Sequence, residues 1–420
     1  NVQDLAALVT GVWRRLGQPE RRRGLGRDPF VALEAVAAQA GRGAPGDLGG
    51  AIADAVAGTR ADLPHVVAEV IARTIGRLSS LPAEASDKDL VANDDNERAL
   101  PSLPSWLPPS RVLGGFYVQR PVGRGTAGSV FVVCRAEDRH DAAAERFALK
   151  VPSYGGSVAH TLSEAEFLRM FREEAGALLT LPNHRNLAGF VTFDARARPR
   201  PILVMELVDG LTLDRALVRG DLAFPRLLSV LDGIAAGLQA MHALGVGHLD
   251  VKPANVILRT PRRARAAAVT DEVPATPVLV DFGLAGRKIR PGCASPFYGA
   301  PEVWMNDGVD PSASPAAADV YSFCCLAYEL MTGARLFTGE SLPAVIAAHF
   351  AHQGDPVGLQ PLRSDPRFQP LADWLARGLV PSPAARASMS ELRAGLPELA
   401  SLVRTSPREL GLATAAPLTN

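Results

Sequence analysis

Cysteine is scarce in this chain. Four occur among 420 residues, at Cys134, Cys293, Cys324 and Cys325, and none forms a C-x-x-C pair. A zinc scaffold or a disulfide framework is therefore not expected, and a reducing, cytoplasmic setting is. An excess of charge of either sign is also missing. Lys and Arg number 44, and so do Asp and Glu. Nucleic acid and anionic membrane surfaces are not the expected partners of such a balance. No apolar run approaches the ~20 residues of a membrane span, no signal peptide is visible, and no internal repeat stands out. What is present is enough apolar residue, 47% of the chain, for a sizeable core and two or more domains.

Composition changes along the chain. Residues 1–81 carry apolar positions at helical spacing, among them Leu5, Leu8, Val12 and Leu16, with turns near Gly41-Arg42-Gly43 and Gly49-Gly50. A small all-α module is expected there. Residues 82–112 turn acidic and then proline-rich (Asp94, Asp95, Glu97; Pro101, Pro104, Pro108, Pro109), which reads as an extended linker. From Phe116 the pattern becomes that of strands. Gly123, Gly125 and Gly128 fall between apolar segments. The β-branched run after them, starting at Val130, favours a hairpin over the helix that a dinucleotide fingerprint needs. Glycines in such a hairpin let backbone N–H groups approach phosphate oxygens. Phe147-Ala148-Leu149-Lys150-Val151 is a strand with an ammonium inside it, which calls for a partner charge.

The densest cluster of chemistry is Gly247-His248-Leu249-Asp250-Val251-Lys252-Pro253-Ala254-Asn255. Pro253 forbids a helix interior there. An apolar helix face (Leu227, Val230, Leu231, Ile234, Leu238, Met241) precedes the cluster, and a short strand, Val256-Ile257-Leu258, follows it. A loop held between two anchored elements can fix a carboxylate, an ammonium and an amide. Downstream stand Val278-Leu279-Val280-Asp281-Phe282-Gly283, Ser295-Pro296-Phe297-Tyr298-Gly299-Ala300-Pro301-Glu302 and Asp319-Val320-Tyr321-Ser322-Phe323.

Taken in order over about 113–400, these segments resemble the eukaryotic-like (Hanks-type) serine/threonine protein kinases, and the Ala, Arg, Gly and Pro content suggests a bacterial member. The resemblance implies an α+β, bilobal protein-kinase fold, with an antiparallel-sheet N-lobe at 113–200, hinge and mainly helical C-lobe at 201–400, and a tail at 401–420. It implies ATP and Mg2+ as cofactors and a protein Ser/Thr hydroxyl as acceptor. Asp250 would orient the hydroxyl and accept its proton, and Lys252 would steady the γ-phosphate. Asn255 and Asp281 would hold magnesium, for which hard oxygen donors are suited. Gly123, Gly125 and Gly128 would cover the phosphates. Lys150 would bind them, paired with Glu174 or, one helix phase away, Glu173. Glu206 and Val208 would bond the adenine edge through their backbones beside Met205. Val130, Ala148 and Ile257 would sandwich the ring. Glu302 would pair with Arg386, and Asp319 would accept hydrogen bonds from the catalytic loop.

Three features depart from the family pattern. An insertion is expected between Arg259 and Pro277. Leu249 replaces the arginine that often receives an activation-segment phosphate, and between Gly283 and Ala300 the only hydroxyl side chains are Ser295 and Tyr298. Regulation through the N-terminal module or its partner is therefore expected instead. Cys324 stands where many relatives carry glycine. The competing readings are a pseudokinase scaffold, a small-molecule phosphotransferase, and a chain whose working part is a binding module at 1–80.

Overall fold

The computed structural model describes residues 103–125, 128–152, 169, 171–172, 175–176, 178–219, 222, 224–260, 276–290, 294–305, 313–339 and 341–402. The expected helical module (1–81), Glu173 and Glu174, and the tail beyond 402 lie outside them.

The first lobe is an antiparallel sheet with strand order β1-β2-β3-β4-β6-β5. Its strands are β1 (Val112–Leu113), β2 (Phe116–Gly125), β3 (Gly128–Arg135), β4 (Phe147–Pro152), β5 (Phe190–Asp194) and β6 (Ile202–Glu206). The two-residue period of a strand sorts its faces. Phe147, Leu149 and Val151 join Phe131, Val133, Ile202 and Val204 in a core on one face. Ala148 falls on the other face, with Leu203 and Met205, and joins the main core. Lys150 shares that parity, so its inward turn follows from register alone.

Two expected boundaries move. β6 pairs with both β4 and β5, so the sheet lobe runs to Glu206 rather than ending at residue 200. The expected linker at 82–112 also ends early. Leu103, Trp106 and Leu107 pack against the outer core. The Trp106 ring meets Phe131 edge-on at 6.0 Å, and the Arg200 guanidinium lies over it at 5.4 Å. Apolar side chains between the prolines have surface to bury, so this stretch behaves as part of the lobe.

The second lobe begins with β7 (Gly210–Thr212), α1 (Leu213–Arg219) and α2 (Phe224–His242). A single turn at Pro253–Asn255 leads into β8 (Val256–Arg259), which pairs with β7 and with β9 (Thr276–Leu279). The expected insertion therefore narrows, since the ladder runs to the pair Arg259↔Thr276. α3 (Pro315–Thr332) follows, capped by Ser314, whose hydroxyl accepts from the Ala317 N–H at 3.1 Å. It is buried nearly all round, as its uniform apolarity requires. α4 (Leu342–Phe350), α5 (Gln360–Arg363), α6 (Gln369–Gly378), α7 (Met389–Ala394) and α8 (Leu396–Leu402) complete the lobe.

Candidate active site

β4 presents Lys150, which is 3% exposed, toward the segment after β9. Its ammonium lies 3.2 Å from Asp281 Oδ1. Burial alone would raise the Asp281 carboxyl, but the Lys150 ammonium, helped by His248 and Lys252, outweighs it and holds the group below the usual carboxylate range. Asp281 sits at φ 55°, a left-handed conformation that costs a non-glycine residue strain and is found where surrounding contacts over-determine it.

Asp250, Lys252, Asn255 and Ser295 form one connected network. The Ser295 hydroxyl donates to Asp250 Oδ1 at 2.8 Å and accepts from Lys252 Nζ at 2.8 Å. Lys252 also lies 2.9 Å from Asp250 Oδ2. The Asn255 amide donates to Asp250 Oδ2 at 2.8 Å and to the Asp250 carbonyl at 2.9 Å. With its amide donors spent there, Asn255 has its side-chain oxygen, Oδ1, left to offer a cation. The Val280 N–H donates to the backbone carbonyl of Asn255, tying this network to the strand that delivers Asp281. A carboxylate and an amide oxygen are thus carried on adjoining backbone, a donor set that suits magnesium.

The network rests on a buried anion. Asp319, fully buried in α3, accepts from the backbone N–H groups of His248 and Leu249, each at 2.7 Å. His242 Nε2 lies 2.8 Å from the same carboxylate. Leu249 takes φ 62° and buries its side chain in the main core. The single turn holding Glu302 is fixed by Arg386, whose Nη1 and Nη2 reach the two carboxylate oxygens at 2.7 and 3.1 Å. That bidentate pair is buried, where its geometry is held most firmly.

The remaining expected residues are placed as follows. Gly123 pairs with Val130, and Gly125 with Gly128, at the closed end of the β2–β3 hairpin. Gly128 has φ 147°, and a Cβ there would lie 2.2 Å from the Val151 carbonyl, so β4 approaches as closely as only glycine permits. The Glu206 N–H is spent on the Gly189 carbonyl. Its carboxylate binds Arg259 at 2.8 Å and the Gly189 N–H at 3.2 Å. Ala148 and Val208 are buried, with Val130 and Ile257 partly so, all at the main core. A cavity of about 420 Å³ lies beside Met205, Glu206, Phe190 and Phe282. Neither Lys150 nor Asp250 lines it.

Some ties around the segment 295–299 were not foreseen from the sequence. The Tyr298 hydroxyl donates to Glu329 of α3. Burial, with the Glu329 charge beside it, pushes that phenol well up, so it stays a donor. The Ser322 hydroxyl donates to the Tyr298 carbonyl at 2.9 Å. Neither contact has a local signature, because each joins segments far apart in sequence.

A pattern described as the protein kinase domain matches residues 116–393. The chain belongs to the protein kinase family. Its kinase domain is similar to bacterial serine/threonine-protein kinases. It is 34% identical over 244 residues to Pkn1 of Myxococcus xanthus, covering 56% of this chain and 31% of that protein. It is 32% identical over 295 residues to PkaA of Streptomyces coelicolor, covering 64% of this chain and 50% of that protein. PknD of Mycobacterium tuberculosis is 29% identical over 284 residues, with 65% and 38% covered. The matched region thus spans half or less of these relatives. Among the described residues of this family member, no helix is long and apolar enough to cross a membrane.

Proposed function

We propose that this chain transfers the γ-phosphoryl group of ATP to serine or threonine hydroxyls of proteins. The observation that carries the reading is the Ser295 hydroxyl, held between Asp250 Oδ1 and Lys252 Nζ. Asp250 Oδ1 is thereby placed to accept a hydrogen bond from an aliphatic alcohol, with the Lys252 ammonium beside the alcohol's oxygen. In the proposed reaction Asp250 orients the acceptor hydroxyl and takes up its proton. Lys252 steadies charge on the transferring group, and Lys150 grips the nucleotide phosphates from the opposite lobe. Asn255 and Asp281 would hold Mg2+, which when bound neutralises charge on the phosphates. The glycines of the β2–β3 hairpin close over the phosphates. The backbones of Glu206 and Val208 meet the adenine edge, between Val130, Ala148 and Ile257. Most of the rate enhancement then comes from positioning and fixed charge.

Regulation in this reading does not use a phosphate on the activation segment. Leu249 is buried and offers no cation. Ser295 and Tyr298 are both engaged, with Asp250 and Glu329 respectively. Control is assigned to residues 1–81 and to a partner that binds them, in the cytoplasm. Mass spectrometry of active enzyme is expected to find no obligatory phosphate within 284–300.

The direct test follows label from γ-labelled ATP. Wild type is expected to label a Ser/Thr peptide chosen from a degenerate library. Asp250→Asn is expected to lower kcat by about 10²–10⁴-fold, and Lys150→Ala to abolish measurable transfer. An Asp250→Asn variant as active as wild type would overturn the assignment and leave a nucleotide-binding scaffold.

A further inference from the structure

We infer that Tyr321, His349 and His352 are positioning residues for this reaction, forming a one-directional hydrogen-bond chain that fixes the Pro296 carbonyl and thereby the neighbouring Ser295. The chain starts at a backbone donor and ends at a backbone acceptor, and those two ends set every proton between them. The Gly354 N–H donates to His352 Nδ1 at 3.0 Å. That nitrogen must be an acceptor, so in the neutral ring the proton is on Nε2. His352 Nε2 lies 3.0 Å from the Tyr321 hydroxyl, which accepts there. The hydroxyl then gives its own proton to His349 Nδ1 at 2.9 Å. His349 Nε2–H donates to the Pro296 carbonyl at 2.9 Å. Reversing any link would set two donors or two acceptors face to face.

The surroundings enforce this arrangement. Tyr321 and His349 are fully buried and His352 is 6% exposed. The Phe337 ring packs against all of them, with centroids 3.9 Å from His349, 5.5 Å from His352 and 6.1 Å from Tyr321. Among the described residues, Arg386 faces the cluster, 5.1 Å from the Tyr321 ring centroid, with its charge paired to Glu302. Burial disfavours an imidazolium, and it penalises any unmade hydrogen bond. The chain therefore joins α4 and the residues after it, through α3, to the segment whose Ser295 touches Asp250.

The kinetic arm of the test rests on the phosphoryl-transfer reading, while the spectroscopic arm does not. Long-range ¹H–¹⁵N correlation on histidine-labelled full chain at pH 7 is expected to find both His349 and His352 as Nε2–H tautomers. A Nδ1–H tautomer or an imidazolium at either ring overturns the inference. Tyr321→Phe keeps the ring and removes the proton that His349 accepts. It is expected to raise KM for the peptide substrate about tenfold while leaving KM for ATP unchanged. Phe323→Leu, on the same helix but against Trp374, is expected to leave both KM values unchanged. A Tyr321→Phe variant that loses only kcat, or shifts both KM values alike, assigns these residues to stability alone and overturns the positioning role. If wild type transfers no phosphate, the kinase reading fails and the tautomers still decide whether the chain exists. Should Tyr321→Phe fail to fold, they decide it likewise.

Discussion

At the scale of single residues, the cysteine that departs from the family pattern has a packing explanation. A Cβ built on Gly378 would lie 2.3 Å from Cys324 Sγ, so a missing side chain on α6 makes room for the thiol on α3. Burial pushes that thiol up to about 12, which keeps it protonated and unreactive. Gly378→Ala is expected to destabilise by about 1–3 kcal/mol through overpacking. Cys324→Ala should be milder alone and should rescue Gly378→Ala, a coupling that urea denaturation of the double-mutant cycle would reveal. His349 supplies a second outcome. Burial, then the neighbouring His352, holds its pKa down to about 3 against the pull of the Pro296 carbonyl. An unfolded histidine titrates near 6.5. Between those values the unfolded chain binds a proton that the native protein refuses. Its contribution to stability is therefore complete above about pH 6.5 and is lost as the pH falls toward 3. Urea midpoints should drop from pH 7 to pH 4, and His349→Phe should flatten that slope. That Lys150 lies inside a strand and Asp250 in a loop between a helix and a strand was legible from apolar pattern and Pro253, which are local. The Cys324–Gly378 fit and the histidine chain were not, because their partners meet only in the folded core.

At the scale of elements, the strands and the long helices were the readable part. β4 and β8 follow from β-branched and apolar runs, and α2 from its spaced apolar face. Only the last part of the expected linker is described, and there Leu103, Trp106 and Leu107 pack on the sheet lobe, because the apolar residues between the prolines have surface to bury. Trp106 is the contact that decides it. Trp106→Ala should cost roughly 1.5–2.5 kcal/mol, about half the penalty of emptying a fully buried tryptophan site, since this ring is only partly buried. A chain beginning at residue 113 should show the same loss of sheet-lobe stability in thermal melts, and one beginning at 103 should not. Any deletion meant to test regulation by the N-terminal residues therefore has to stop before Leu103.

At the scale of the whole molecule, the order of motifs made the bilobal plan legible, because each motif fixes which lobe its neighbours join. The first hundred residues have no such frame, and helical spacing alone names no partner for their apolar faces. The two lobes are tied where Glu206, at the end of β6, binds Arg259 at the end of β8. The same Arg259 faces Thr276 across the β8–β9 ladder, so the residues flanking 261–275 on either side are held together by strand pairing. The entropy cost of closing a segment between two paired strand ends grows only with the logarithm of its length. An engineered protease site placed within 261–275 should thus yield two fragments that elute as one particle from a sizing column and part only in denaturant. The molecule would then be a two-piece kit, with Asp250 on one piece and Asp281 on the other. Catalysis could be assembled by mixing, and either carboxylate replaced by chemical synthesis without touching its counterpart.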